Sequence, residues 1–141
     1  PCARADHDGM RAVRESGVPV VADEAVASEA DLEALLAADA VDGINLKLVK
    51  MGGIDRCLRI GRAAQAAGLS LMVGAMIESR LGLTAMAHVV SALGGVRWVD
   101  LDTAFLLADD PVVGGMQVDE PRLWLTEAPG LGLAVTESAD R

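Results

Sequence analysis

The chain has 141 residues, 52% of them hydrophobic and 23% charged, and carries a formal net charge of −9. That length suits one domain with its own core. Cys2 and Cys57 are too few for a disulfide framework and lack metal-ligand spacing, so a reducing, cytoplasmic setting is expected. The acidic balance excludes the clustered Lys and Arg that nucleic acids and anionic membrane surfaces require, and the longest uncharged stretches, 63–77 and 81–96, fall short of the roughly 20 residues of a membrane span.

The chain opens at Pro1 with no Met and no signal-like lead-in, so a fragment or processed piece is expected. Gly17, Gly43, Gly68 and Gly95 each close an amphipathic stretch and open an apolar run, at spacings of 26, 25 and 27 residues. Such a period marks a repeated supersecondary unit. Residues 8–16 read as a helix capped by Asp6 or Asp8, followed by the strand-like run 18–22. Ser28 and Asp31 form a capping-box signal before a helix over 29–38, with Leu32, Leu35 and Leu36 at helical spacing. A strand is predicted over 43–48, a helix over 54–67 ending at Gly68, a strand over 69–73, a helix over 81–93 and a last strand over 98–101. Beyond residue 103 the pattern stops, and 116–118 and 123–125 read as short strands around a turn at Glu120 and Pro121.

Strands alternating with helices of this length give an α/β chain with a parallel sheet. A piece of a (β/α) barrel and a doubly wound sheet both fit, the short period favouring the barrel. No GxGxxG or P-loop follows any run. The reading divides the chain into a partial barrel over 1–103, with about four βα units, and a tail over 104–141.

Active sites of barrels lie at the carboxyl ends of the strands. Charged residues stand there in every unit: Asp23 with Glu24, Lys47, Glu78, and Asp100 with Asp102. Alternation along 43–48 turns Asn45 and Lys47 inward. A lysine turned inward loses hydration, which favours the neutral amine a general base needs; the competing reading is a solvated loop holding Lys47 and Lys50. Asp100 and Asp102, two apart on one strand, share a face and repel unless a metal, an arginine or a substrate ammonium lies between them; solvated loop acids are the plain alternative. Asp23 suits Mg²⁺, a hard cation that takes oxygen ligands, or a helix cap. Glu78 has the simple alternative of favouring a helix N-terminus. His7 and His88 carry no such signal, Met72, Met76 and Met86 read as core filler, and Gly52–Gly53 fits a sharp turn as well as an anion nest.

Three segments together resemble the enolase superfamily in its muconate-lactonizing-enzyme subgroup: VPVVADE over 18–24, NLKLVKMGGI over 45–54 and VGAMIESRLG over 73–82. VDLD over 99–102 is similar to the last-strand D-x-D of the dipeptide epimerases of the L-Ala-D/L-Glu type, and PGLGL over 129–133 resembles the family's C-terminal segment. The resemblance implies the C-terminal half of a TIM-type barrel, with a tail that packs on a capping domain, and with Pro1 matching the proline that follows an upstream metal ligand. It further implies Mg²⁺ as cofactor, Asp23 as one of its ligands, and Lys47, rather than Lys50, as the acid/base lysine. Asp100 and Asp102 would clamp the α-ammonium of a dipeptide, Glu78 would line the substrate pocket, and Glu24 and Asn45 would support the ligands from behind.

The implied reaction is general for that superfamily: a lysine or histidine base removes the proton α to a carboxylate, and Mg²⁺ stabilises the enediolate. Epimerisation of dipeptides is expected, with o-succinylbenzoate synthase, N-acyl amino acid racemase and muconate-type cycloisomerase as sister activities. A non-catalytic half-barrel is the reading from another class. A half-barrel standing alone exposes apolar edges, so a homo-oligomer or aggregate is expected rather than an active monomer.

Overall fold

The computed structural model describes residues 2–119 and 121–136; Pro1 and Glu120, both used in the sequence reading, lie outside the described residues. The first helix, α1 (His7–Glu15), starts where Asp6 accepts from the Gly9 N–H. The capping-box signal at Ser28 is also real. Its hydroxyl accepts from the Asp31 N–H at 3.2 Å and donates to Asp31 Oδ2 at 2.8 Å, opening α2 (Glu29–Ala37). Caps of this kind are worth about 1 kcal/mol each. In α2, Leu32 and Leu35 turn into the core, while Leu36 is left exposed.

Four parallel strands follow the predicted order. They are β1 (Val21–Ala22), β2 (Gly43–Leu46), β3 (Ser70–Val73) and β4 (Trp98–Val99), paired strictly in sequence as β1-β2-β3-β4. Val21 sits opposite Gly43, Gly43 opposite Ser70, and Met72 opposite Trp98. All four residues of β2 are buried, as expected of a parallel strand covered on both faces. The two outer strands are shorter than their apolar runs. A ladder is as long as its neighbour allows, and among the described residues β1 and β4 each pair on one side only.

Helix α4 (Ile54–Ala66) packs on β2 and β3, and α5 (Arg80–Leu93) packs on α4. Gly61 permits their contact: a Cβ there would stand 2.8 Å from Leu93 Cδ1 and 3.1 Å from Leu46 Cδ1. Ile44, Leu46, Met51, Ile60, Leu71, Val73, Leu83 and Met86 form the centre of the core. At the amino end of the sheet, Asp42 accepts from Arg14 Nε at 2.7 Å and from the Val20 N–H at 2.9 Å. The Arg14 guanidinium holds the Asp42 carboxyl below its usual range.

One further short helix, α3 (Leu48–Met51), interrupts the expected strand over 43–48. Leu48 therefore leaves the ladder, and Gly52 ends α3 at φ +80°, the left-handed conformation that glycine adopts without strain. After a 3₁₀ turn at Thr103–Leu106, the tail forms two antiparallel ribbons. Strands β6 (Gln117–Asp119) and β7 (Arg122–Trp124) make the predicted hairpin. Strands β5 (Val112–Gly114) and β8 (Leu133–Val135) pair across a long loop, which the sequence reading did not foresee. No helix among the described residues is long and apolar enough to cross a membrane.

Candidate active site

The carboxyl ends of β1 and β2 bring together Asp23, Asn45 and Lys47, while Glu24 and Glu78 make no hydrogen bond or ion pair with them among the described residues. Asp23 is the first residue beyond β1. Lys47 follows β2 and forms the N-cap of α3 in extended backbone. Its side chain points inward and is 14% exposed, with Nζ 2.9 Å from Asp23 Oδ2. Of the two readings for Lys47, the inward one describes its side chain, although its backbone has already left the strand.

Lys50, three residues on in α3, meets the same carboxylate. Its Nζ lies 2.6 Å from Asp23 Oδ1 and donates to the Asp23 carbonyl at 2.6 Å and the Asn45 carbonyl at 3.2 Å. Asn45 is 4% exposed and donates through Nδ2 to Asp23 Oδ2 at 3.1 Å. Its Oδ1 is buried and meets no donor among the described residues. Burial pushes the Asp23 carboxyl up, but the hydrogen bonds and charges of Lys50 and Lys47 outweigh it, and the net shift is downward. Asp23 is therefore a carboxylate.

The expectation that Asp100 and Asp102 sit on one strand needs correction. β4 ends at Val99. The Asp100 N–H still donates to the Val73 carbonyl at 2.8 Å, so the ladder runs one bond further, while Asp102 lies in helical backbone (φ −108°, ψ −5°) as the cap of the 3₁₀ turn. Leu101 between them turns into the core at 4% exposure, and both carboxyls stay on the exposed side. They remain neighbours: partial desolvation of the otherwise exposed Asp100, then the charge and hydrogen bond of Asp102, raise its carboxyl against a downward pull from Lys47. Lys47 thus pairs with Asp23 at 2.9 Å, and its charge also lowers the Asp100 carboxyl.

Glu78 is half-buried in the loop after β3, where Oε1 accepts from the Met76 N–H at 3.1 Å. Thr103 ties this loop to the 3₁₀ turn by donating to the Met76 carbonyl at 2.7 Å. Glu24 is exposed beside Asp23. Two contributors escaped the sequence reading. One is Lys50 as a buried partner of Asp23. The other is Gly74, where a Cβ would stand 3.0 Å from Asn45 Oδ1 and 3.3 Å from Lys47 Cε. The i, i+3 spacing from Lys47 was the available signal for Lys50, provided a helix follows the strand.

The donor set fits one ligand position of a hard divalent cation: an ionised carboxylate with a neutral amide beside it. Among the described residues no three His, Cys, Asp or Glu side chains gather into a metal cluster. Mg²⁺ is often held by one or two carboxylates with waters and substrate, which Asp23 alone can satisfy in part.

A family model described as "Enolase C-terminal domain-like" matches residues 1–139. The chain belongs to this family. Within it, the chain is 37% identical over 127 residues to an L-Ala-D/L-Glu epimerase of Clostridium acetobutylicum, covering 89% of this chain and 36% of that protein. It is 44% identical over 115 residues to an L-Lys-D/L-Arg epimerase of Methylococcus capsulatus, covering 81% and 32%. A solved structure of a dipeptide epimerase from Cytophaga hutchinsonii, complexed with Mg and D-Ala-L-Val, superposes with a TM-score of 0.91 at 34% identity, over 99% of this chain and 38% of that one. The chain thus spans about a third of the curated relatives it matches. In this enolase-like family its four parallel strands are the C-terminal half of the TIM-type barrel.

Proposed function

We propose that the full-length protein carrying this chain is a Mg²⁺-dependent dipeptide epimerase, an isomerase acting in the cytoplasm. The observation that carries the reading is the position of Lys47, its side chain 14% exposed at the carboxyl end of the sheet with Nζ 2.9 Å from Asp23 Oδ2. The likeness to curated dipeptide epimerases supports the substrate class.

In this reading Lys47 removes the α-proton from one face of the substrate. A second group, supplied from outside these residues, returns a proton to the opposite face and so inverts the centre. Asp100 and Asp102 hold the substrate's α-ammonium, which relieves the repulsion between them and fixes the dipeptide's direction. Asp23 would hold Mg²⁺, which when bound would supply Lewis-acid stabilisation to the substrate carboxylate. Glu78 lines the pocket from the loop that Thr103 anchors, and Glu24 and Asn45 support the carboxylate end. Residues 1–103 carry the chemistry, and the tail from 104 fastens the barrel to the rest of the protein; a homo-oligomer is the expected assembly.

The test is α-proton exchange in D₂O, followed by NMR on the full-length protein with L-Ala-L-Glu, other L,L-dipeptides and N-acyl amino acids, with and without Mg²⁺. Mg²⁺-dependent exchange with epimer formation on dipeptides is expected. Replacing Lys47 by Ala should lower that rate by about 10²–10⁴-fold, the usual contribution of a general acid–base group. Exchange confined to N-acyl amino acids would move the protein to a sister activity, and undiminished exchange in Lys47→Ala would remove Lys47 from the chemistry.

A further inference from the structure

An ammonium has three N–H donors, and Lys50 spends all three. They go to Asp23 Oδ1 at 2.6 Å, the Asp23 carbonyl at 2.6 Å and the Asn45 carbonyl at 3.2 Å. Two of these acceptors are main-chain oxygens at the ends of neighbouring strands, so the ammonium fastens β1 to β2 as well as holding the carboxylate. The side chain is only 15% exposed, and freeing it would strand a charge away from water. The left-handed Gly52 ends α3 after a single turn, and this turn carries Lys50 back over the strand ends.

The two oxygens of Asp23 are therefore unequal. Oδ1 is held by a group fixed at two further points. Oδ2 faces the Lys47 side chain at 2.9 Å and the Asn45 amide at 3.1 Å. We propose that Lys50 is a positioning residue: it dedicates Asp23 Oδ1 to the scaffold and leaves Oδ2 as the oxygen that changes partner when a divalent cation arrives. The proposal rests on the reading of Asp23 as a Mg²⁺ ligand. It also separates the two lysines of the motif, because Lys50 is committed to structure and Lys47 is left for the substrate. The compact tetrahedral ammonium suits three convergent acceptors, whereas a planar guanidinium does not.

The experiment uses the full-length protein and Mn²⁺ as the probe, titrated against loss of the free-ion EPR signal. Three variants are compared with the parent: Lys50→Met, Lys50→Arg and Asp23→Asn. Loss of a group that orients a metal-binding side chain weakens metal affinity by about 10–100-fold, and that loss is expected in both Lys50 variants, with the far-UV circular dichroism of the parent retained. Lys50→Arg keeps the charge and carries the test if Lys50→Met does not fold. Parent-like or tighter Mn²⁺ binding in a folded Lys50 variant, alongside lost binding in Asp23→Asn, would overturn the positioning role alone. Parent-like binding in Asp23→Asn would instead overturn Asp23 as a ligand, and the proposal with it.

Discussion

The Arg80 N–H donates to Asp110 Oδ2 at 2.7 Å, so the first turn of α5 is capped by a side chain thirty residues further along the chain. Ser79, the local N-cap residue, makes no side-chain cap hydrogen bond. The other oxygen of Asp110 accepts from the Val112 N–H at 3.1 Å, where β5 begins, and Arg80 returns a hydrogen bond to the Met116 carbonyl at 3.2 Å. One carboxylate thus ties the tail to the barrel. Asp110→Ala should destabilise the protein by about 0.5–2 kcal/mol, as loss of a cap does, and should speed amide exchange in the first turn of α5 and in β5. A parent-like urea midpoint with unchanged exchange would show that the contact holds nothing.

The carboxyl pair makes a prediction about substrates. A hydrogen bond to a charged group is worth about 1.5–3 kcal/mol, or roughly 10–100-fold in binding. Asp102→Asn should raise KM by that order for dipeptides with a free amino group and leave N-acyl amino acids nearly unaffected. If N-acyl substrates suffered and free dipeptides did not, the ammonium clamp would be wrong.

The same pair predicts a pH dependence. The Asp100 carboxyl is raised by partial desolvation and by the neighbouring Asp102, so it takes up its proton earlier than an ordinary aspartate as pH falls. A protonated Asp100 does not attract an ammonium. The KM for a free dipeptide should therefore climb with acidification from above the normal aspartate range. In Asp102→Asn the like charge is gone, Asp100 returns toward its ordinary value, and the climb should begin at lower pH. Superimposable profiles for the two proteins would contradict this coupling.

Gly74 separates activity from stability. A Cβ at this position would press on Asn45 Oδ1 at 3.0 Å, Asn45 Nδ2 at 3.1 Å and Lys47 Cε at 3.3 Å, and relief requires these side chains to shift. Overpacking costs about 1–3 kcal/mol, which a folded barrel can survive. Gly74→Ala should thus remain folded by circular dichroism yet lose α-proton exchange by about tenfold or more, since small misplacements of catalytic groups are costly. Full activity in the folded variant would mean that Lys47 tolerates displacement.

Much of the architecture was legible because its causes are local. Asp6 and Ser28 announce their helices through hydrogen bonds reaching only three residues, and Gly68 ends α4 by its own left-handed backbone. The glycine spacing announced the units. Strand length was not legible, since the apolar run over 18–22 yields only Val21–Ala22 where pairing with Gly43–Ile44 allows it. The pairing of β5 with β8 has no period or tight turn to betray it. At the site, the charged strand ends marked Asp23, Lys47, Asp100 and Asp102. Lys50 was passed over because its partners lie on two other segments, and only folding shows that its three donors converge.

Each parallel strand lies beside the one made just before it. Successive pairs join Val21 to Gly43, Gly43 to Ser70 and Met72 to Trp98, so among the described residues each parallel ladder closes on the strand made just before it. Loop-closure entropy rises only slowly with length, and these closures are nearly equal. The sheet can therefore grow in the order of synthesis, one unit docking on the last as the chain leaves the ribosome. The site would be completed last, when the segment carrying Asp100 and Asp102 arrives beside a Lys47 already held in place.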